Sequence, residues 1–350
     1  QDNGGTANGG VNTSVAANTL TINVTSVNDA PTGADATITL LEDGSKTFSA
    51  ADFGFADTTD SVTGGSSANS LSAVIITTLP TAGTLKFNGT AVTANQSIAV
   101  ADLGKLVYAP AANANGSNYA TIGFKVQDSG GTANGGADTS VAANTLTINV
   151  TSVNDAPTGT NATITLLEDG SKTFAASDFG FADSADSANP NTFSAVIITT
   201  VPSAGTLTLD GVAVTANQSI AVADLGKLVY APAANANGSN YATIGFKVQD
   251  SGGTANGGAD TSVAANTLTI NVTSVNDAPT GTNATITLLE DGSKTFAASD
   301  FGFADSADSA NPNTFSAVII TTVPSAGTLT LDGVAVTANQ SIAVADLGKL

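Results

Sequence analysis

The chain has 350 residues, of which 29 are acidic and nine are basic, and its formal net charge is −20. This charge excludes a nucleic-acid binder that works by neutralising phosphate groups. Because the sequence contains no histidine and no cysteine, a Ser-His-Asp triad, an imidazole zinc site and a thiol nucleophile are also excluded. We therefore predict that the protein is not an enzyme.

A long repeat dominates the sequence. The motif VNDAPTG begins at Val27, Val153 and Val275, at intervals of 126 and 122 residues, and residues 153–228 are identical to residues 275–350. This period is too long for a solenoid unit and suits an autonomous domain. We predict the C-terminal part of a preceding repeat at 1–26, complete repeats at 27–152 and 153–274, and the N-terminal part of a further repeat at 275–350. The chain is then expected to be a section of a longer array.

The elements of one repeat, taken in chain order, are predicted to be short strands. Within the repeat at 153–274 these lie at residues 162–167, 194–200, 207–214 (two strands around Asp210-Gly211), 227–231, 241–249 and 266–273, with one helical turn at 221–226. Residues 266–273 alternate strictly, which places Leu268, Ile270 and Val272 on one face. Asp-Gly favours a tight hairpin turn, and the first repeat has Asn88-Gly89 at this position. About seven short strands predict an all-β fold of two-sheet sandwiches.

The two complete repeats differ in length at one place. Residues 57–72 form a stretch that is four residues longer than its counterpart, residues 183–194. Surface loops tolerate insertions at little cost in free energy. We therefore predict that this stretch is a loop outside the core.

Acidic residues concentrate at the ends of predicted strands. In the repeat at 153–274, the joint VNDAP carries Asp155, Glu168 follows one predicted strand, and Asp250 follows another. We expect these strand ends to gather at one pole of the sandwich, near the joint, where crowded carboxylates require a cation. The lysines are too few for this role, and Ca²⁺ suits mixed carboxylate, amide and carbonyl ligands. The alternative is that the Asp and Asn residues only form turns.

Several segments together resemble the cadherin-like tandem repeats of large bacterial surface adhesins and extracellular matrix proteins. They are VNDAPTG, LLEDGSKTFAASDFGFAD, TTVPSAGTLTLDG, KLVYAPAANANGSNYATIGFKVQDSGG and NTLTINVTSVNDAP. The resemblance spans the whole chain, although the joint motif is shorter than the DxNDNAP type of animal cadherins. The segment PSAGTLTLDG also resembles repeats of the chondroitin-sulfate-proteoglycan type.

The resemblance implies head-to-tail β-sandwiches of cadherin or immunoglobulin type with Ca²⁺ at the joints. By position, the ligand residues of the first joint and repeat would be Asn28, Asp29, Glu42, Asp43, Asp57 and Asp128. The corresponding residues of the second repeat would be Asn154, Asp155, Glu168, Asp169, Asp183 and Asp250. Those of the third would be Asn276, Asp277, Glu290, Asp291 and Asp305.

Three functions follow as hypotheses. The first is a calcium-stiffened extracellular stalk or spacer in a bacterial adhesin or biofilm matrix protein, because identical tandem domains set reach and not chemistry. The second is a building block of an extracellular filament or sheath, in which other copies of the chain would be partners. The third is a calcium-dependent carbohydrate-binding module, which the low aromatic content of 5% disfavours. The predicted partners are the neighbouring repeats of the same chain, and no nucleic-acid partner is predicted. Any membrane anchor is expected to lie outside these 350 residues.

Overall fold

The protein is all-β. The computed structural model describes residues 1–60, 69–186, 189–308 and 312–350. These residues divide into two compact units, Gln1–Ser152 and Val153–Leu350, and each unit is described by itself.

Unit 1 contains one complete two-sheet sandwich. Its strands are β1 (Ala36–Leu41), β2 (Lys46–Thr47), β3 (Leu71–Thr78), β4 (Thr84–Phe87), β5 (Thr90–Ala91), β6 (Gln96–Ala99), β7 (Leu106–Ala109), β8 (Gly116–Asp128) and β9 (Asn144–Thr151). One sheet has the order β1-β9-β8-β3-β6 and the other β2-β7-β4-β5. Short 3₁₀ helices lie at Ala7–Gly9, Ala50–Phe53, Val100–Lys105 and Ala133–Gly135.

Unit 2 repeats this sandwich and then begins a second one. Its first nine strands are β10 (Ala162–Leu167), β11 (Lys172–Thr173), β12 (Phe193–Thr200), β13 (Thr206–Leu209), β14 (Val212–Ala213), β15 (Gln218–Ala221), β16 (Leu228–Ala231), β17 (Gly238–Asp250) and β18 (Asn266–Thr273). They form the sheets β10-β18-β17-β12-β15 and β11-β16-β13-β14. The strands β19 (Ala317–Ile320), β20 (Thr330–Leu331), β21 (Val334–Ala335) and β22 (Gln340–Ala343) follow. The 3₁₀ helices lie at Ala176–Phe179, Val222–Lys227, Ala255–Gly257, Ala298–Phe301 and Val344–Lys349.

The direction of β10 decides at which pole of the sandwich the acidic residue after this strand lies. β10 runs parallel to β18, with Ala162 opposite Leu268 and Leu167 opposite Thr273. β18 in turn runs antiparallel to β17. β10 and β17 therefore point in opposite directions within one sheet, and their C-terminal ends lie at opposite poles of the sandwich.

The core between the sheets is built from the alternation seen in the sequence. Leu268 and Ile270 are fully buried in β18 and join a cluster that includes Phe179 and Phe246, whose ring centroids are 5.0 Å apart. Tyr230 is also fully buried, and its hydroxyl donates to the carbonyl of Ala204 at 2.9 Å. Burial raises the pKa of Tyr230 to about 12, so this hydroxyl remains a donor at neutral pH.

The hairpin prediction is confirmed. Asp210 and Gly211 have φ values of 51° and 79°, and they connect β13 to β14. Asn88 and Gly89 adopt the same conformation in unit 1. Positive φ at both central positions explains why only Asn-Gly and Asp-Gly occur there.

The prediction of short strands is confirmed, but the predicted number of strands is too low. The described residues of each complete sandwich form nine strands. The sequence pattern predicted about seven and missed β11 and β15, which are only two and four residues long. The predicted helical turn at 221–226 is the 3₁₀ helix Val222–Lys227. Within the longer stretch predicted to be a loop, residues 61–68 lie outside the described residues, and Asp57 and Asp60, which precede them, are buried.

Candidate metal centre

Glu168 is fixed at the C-terminal end of β10. Its backbone N–H donates to the carbonyl of Thr273 at 3.0 Å and so extends the pairing with β18 by one residue. The side chain is 1% exposed. Its Oε1 accepts a hydrogen bond from the backbone N–H of Val275 at 2.7 Å, and its Oε2 accepts one from Nδ2 of Asn237 at 2.9 Å. A buried carboxylate therefore touches the joint at Val275.

Two aspartates from the following repeat complete a three-carboxylate cluster with Glu168. One carboxylate oxygen from each of Glu168, Asp277 and Asp308 lies within 4.8 Å of the others. The backbone N–H of Asp277 donates to Oδ2 of Asp308 at 2.9 Å, which joins the two segments. Glu168 and Asp308 are buried, and Asp277 is half-buried. Such an arrangement is costly unless a cation lies among the oxygens.

The electrostatics of the cluster fit a divalent cation. Desolvation raises the pKa of Asp277, and the negative charges of Asp169, Asp308, Glu168 and Asp305 raise it further. Oδ2 of Asp277 and Oδ1 of Asp305 are buried without a hydrogen-bond partner. Among the described residues, the lysine ion pairs involve Asp52, Asp102, Asp178, Asp224, Asp300 and Asp346, and none of them reaches this cluster. Buried carboxylate oxygens with no hydrogen-bond donor are suitable ligands for a hard cation such as Ca²⁺.

A second group of acids lies at the opposite pole of the complete sandwich of unit 2. Nδ2 of Asn154 donates to Oδ1 of Asp250 at 3.1 Å and to the carbonyls of Gly253 and Ala259 at 3.0 and 2.8 Å. Oδ1 of Asn154 accepts from Nδ2 of Asn191. The Asn154 side chain therefore ties the joint to the loop that follows β17.

This second group also contains unpartnered carboxylate oxygens. Oδ2 of Asp250 and Oδ1 of Asp183 are buried without a hydrogen-bond partner. Burial raises the pKa of Asp250, and the charges of Asp183 and Asp260 add to this rise, while hydrogen bonds from Gly252 and Asn154 oppose it. The backbone N–H of Asp155 donates to Oδ2 of Asp186 at 2.8 Å.

Unit 1 builds the corresponding contacts from its own residues. Nδ2 of Asn28 donates to Asp128 at 3.1 Å, and the backbone N–H of Asp29 donates to Oδ2 of Asp60 at 3.1 Å. Oδ1 of Asp57 is buried and unpartnered, and burial raises the pKa of Asp128. The arrangement of this pole thus recurs in both units.

The expectation that Glu168 and Asp250 gather at one pole is wrong. Because β10 is antiparallel to β17, Glu168 lies beside the joint that leaves the repeat, next to Val275. Asp250 lies beside the joint that enters the repeat, next to Asn154. The carboxylates at one joint are therefore the glutamate of the repeat before it and the aspartates of the repeat after it.

The remaining predicted site residues differ in their exposure. Asp43 is exposed, and so are Glu290 and Asp291 in the further repeat, whereas Glu42 is 1% exposed and its Oε2 accepts a hydrogen bond from Nδ2 of Asn115 at 3.0 Å. Asp169 is exposed but close enough to influence Asp277.

The sequence reasoning also missed residues that the structure brings to these poles. They are Asp60, Asn69, Asn115, Asp186, Asn191, Asn237, Asp308 and Asn313. The recurrent spacing of three residues between Asp183 and Asp186, and between Asp305 and Asp308, was the available signal. The asparagines gave no signal, because asparagine is also the usual turn residue.

No family model and no curated protein matches the chain. Among solved structures, the chain is similar to human mucin-like protocadherin EC1-2, with 15% identity over 71% of this chain and 100% of that one, at a TM-score of 0.33. It is similar to mouse protocadherin-24 EC1-3, with 14% identity over 69% and 70% of the two chains and a TM-score of 0.40. Mouse cadherin-23 EC22-24 is 13% identical over 72% and 69%, with a TM-score of 0.39.

Helices long and apolar enough to cross a membrane are not found in the described part of the chain.

Proposed function

We propose that the protein is a non-catalytic array of β-sandwich repeats whose joints bind Ca²⁺, and that it serves as an extracellular stalk or spacer. The observation that carries this proposal is the approach of Glu168, Asp277 and Asp308 to within 4.8 Å across the joint at Val275. These carboxylates come from the two sides of one joint. An ion bound to all three would therefore connect the repeat at 153–274 to the residues that follow it.

The donor set favours Ca²⁺ over other metals. Histidine and cysteine are absent from the sequence, so zinc and copper lack their preferred ligands. Ca²⁺ accepts six to eight oxygen ligands in flexible geometry, whereas Mg²⁺ requires a stricter octahedron. Glu168, Asp277 and Asp308 would hold the ion, with Asp305 supplying a further buried oxygen.

The extracellular location is part of the same proposal. The residues resemble cadherin-like repeats of bacterial adhesins and biofilm matrix proteins, and near-identical repeats supply length without adding a new kind of site. A surface with a net charge of −20 keeps neighbouring chains apart and attracts divalent cations.

Thermal unfolding with and without calcium tests the proposal. Ca²⁺ at roughly 100 times its dissociation constant should stabilise the folded state by about 2.7 kcal/mol per site. Glu168→Gln should reduce the calcium-dependent rise in melting temperature. The matched control is Glu290→Gln. Glu290 is the counterpart of Glu168 in the further repeat and is exposed, so this variant should leave the calcium-dependent rise in melting temperature unchanged. Identical melting curves in Ca²⁺ and in EGTA would refute the calcium site.

Calcium-dependent stiffness is a separate measurement. Small-angle scattering of the 350-residue chain should show a narrower distribution of interatomic distances in Ca²⁺ than in EGTA. Glu168→Gln should broaden it again in calcium. Ion binding without any change in scattering would support a calcium site but contradict the role as a stiffened stalk.

A further inference from the structure

We infer that Asn237 positions the Glu168 carboxylate for the ion, an inference that rests on the proposed function. Asn237 lies in the loop between β16 and β17. It is distant in sequence from the joint, yet its Nδ2 lies 2.9 Å from Oε2 of Glu168.

The two hydrogen bonds to Glu168 fix the plane of its carboxylate. Oε1 accepts from the backbone N–H of Val275 at 2.7 Å and Oε2 accepts from Asn237 at 2.9 Å. Each carboxylate oxygen has two acceptor sites, so each oxygen can still face a cation. Groups that orient a metal ligand by a hydrogen bond usually contribute to metal affinity without touching the metal.

The same pair occurs in unit 1. Nδ2 of Asn115 donates to Oε2 of Glu42 at 3.0 Å, and Glu42 is as buried as Glu168. Both asparagines stand in the sequence NANGS, within residues 105–152 and 227–274, which are identical. The contact therefore belongs to the repeated sequence and occurs in both complete copies.

Asparagine suits this role because the amide donates and carries no charge. Aspartate would have the same size but would place a second carboxylate against Glu168 and remove the donor. If Asn237 were itself an ion ligand, aspartate would add a negative charge to the ion's surroundings and strengthen binding. The aspartate substitution therefore distinguishes a positioning residue from a ligand.

The test is calorimetric titration of the whole 350-residue chain with CaCl₂. Both loops are changed together, as N115A/N237A and as N115D/N237D, so that an unaltered copy does not mask the effect. We expect affinity to fall by about tenfold or more in the alanine variant and further in the aspartate variant. The matched control is N113D/N235D, which adds the same charge at exposed positions of the same loops and keeps the donors, and it should bind as the wild type does.

Melting temperatures in EGTA complete the test. A purely structural role would lower the stability of the alanine variant equally with and without calcium, whereas a positioning role enlarges the loss when calcium is present. If the wild type binds calcium and the alanine variant binds it equally well, or if the aspartate variant binds more tightly, the inference about Asn237 is wrong. If the wild type itself takes up no calcium, the proposed function fails and this inference fails with it.

Discussion

Residues 162–167 and 284–289 both read ATITLL, but only the first segment is a strand. The first forms β10 and pairs with β18 along its whole length. The second has no paired strand, and its Leu288 and Leu289 are 52% and 86% exposed. Residues 290–350 contain no further copy of NTLTINVT, the sequence of β18.

The partner sequence shows the same dependence. NTLTINVT at 266–273 forms β18, in which Ile270 is fully buried, but the identical residues 18–25 form no strand and Ile22 is 76% exposed. The nearest ATITLL, in β1, is already paired with β9. A strict alternation of apolar residues is thus a potential strand, and tertiary pairing decides whether it forms.

The largest contrast should come from two of the three copies of the central isoleucine of NTLTINVT. Ile270→Ala removes a fully buried side chain from β18 and should cost about 2–5 kcal/mol of unfolding free energy, because a cavity remains. Ile22→Ala is the same change in the same sequence at an exposed site and should cost less than about 0.5 kcal/mol. Urea unfolding followed by circular dichroism measures both. Equal shifts would mean that residues 18–25 are packed in solution.

A pair of glycines separates the effect of backbone strain from the effect of a steric clash between an added Cβ and its neighbours. Gly205 and Gly327 both have positive φ, 73° and 78°. A Cβ on Gly205 would lie 2.5 Å from the carbonyl oxygen of Ala231 and 2.6 Å from the Tyr230 hydroxyl, whereas one on Gly327 would meet nothing within 4 Å. Gly205→Ala should destabilise by about 3 kcal/mol and Gly327→Ala by about 1 kcal/mol. Similar urea midpoints for the two variants would contradict the collision.

The joint asparagines offer a smaller contrast. Asn154→Ala removes one of two hydrogen-bond donors to Oδ1 of Asp250, the other being the backbone N–H of Gly252, and it removes the contacts with the loop after β17. It should cost about 2 kcal/mol in EGTA, because a buried carboxylate and two carbonyls lose a donor. Asn276→Ala changes the equivalent residue, which is exposed and whose Nδ2 donates to the carbonyl of Asp277, and should cost less than about 1 kcal/mol. The readout is thermal unfolding without calcium. An equal cost would show that the loop contacts contribute no stability.

The smallest expected effect is a difference in pH dependence without calcium. Because the pKa of Asp250 is raised in the folded state, its contribution to stability is present at low pH and is lost as the pH rises through the folded pKa. The pKa of Asp300 is lowered by hydrogen bonds from the Ala297 N–H and Lys294, so its contribution is present above the unfolded pKa and is lost on acidification.

Ion-free urea unfolding between about pH 3 and pH 7 tests these signs. Asp250→Asn should make stability fall less steeply as the pH rises. Asp300→Asn should make stability fall less steeply as the pH is lowered. Slopes that change in the opposite sense would contradict the assigned pKa directions.

The sequence predicted the elements better than their directions. Alternation identified β18, and Asp210-Gly211 identified the hairpin, because both signals are local. The proximity of Glu168 to Asp277 could not be predicted, since it depends on the parallel pairing of β10 with the last strand of the repeat. Asp308 and Asn237 were missed because their roles arise from contacts between segments distant in sequence.

The pairing of β10 with β18 also sets how a complete repeat would respond to force. The first and last long strands of the repeat lie side by side and run the same way, so tension on the two ends of the chain would pull them in opposite directions along their length. The hydrogen bonds between Ala162–Leu167 and their partners would then be loaded in shear, all at once, and would not open one after another as in a peeled hairpin. Each complete repeat therefore carries its mechanical resistance in the ladder that also places Glu168 at the joint.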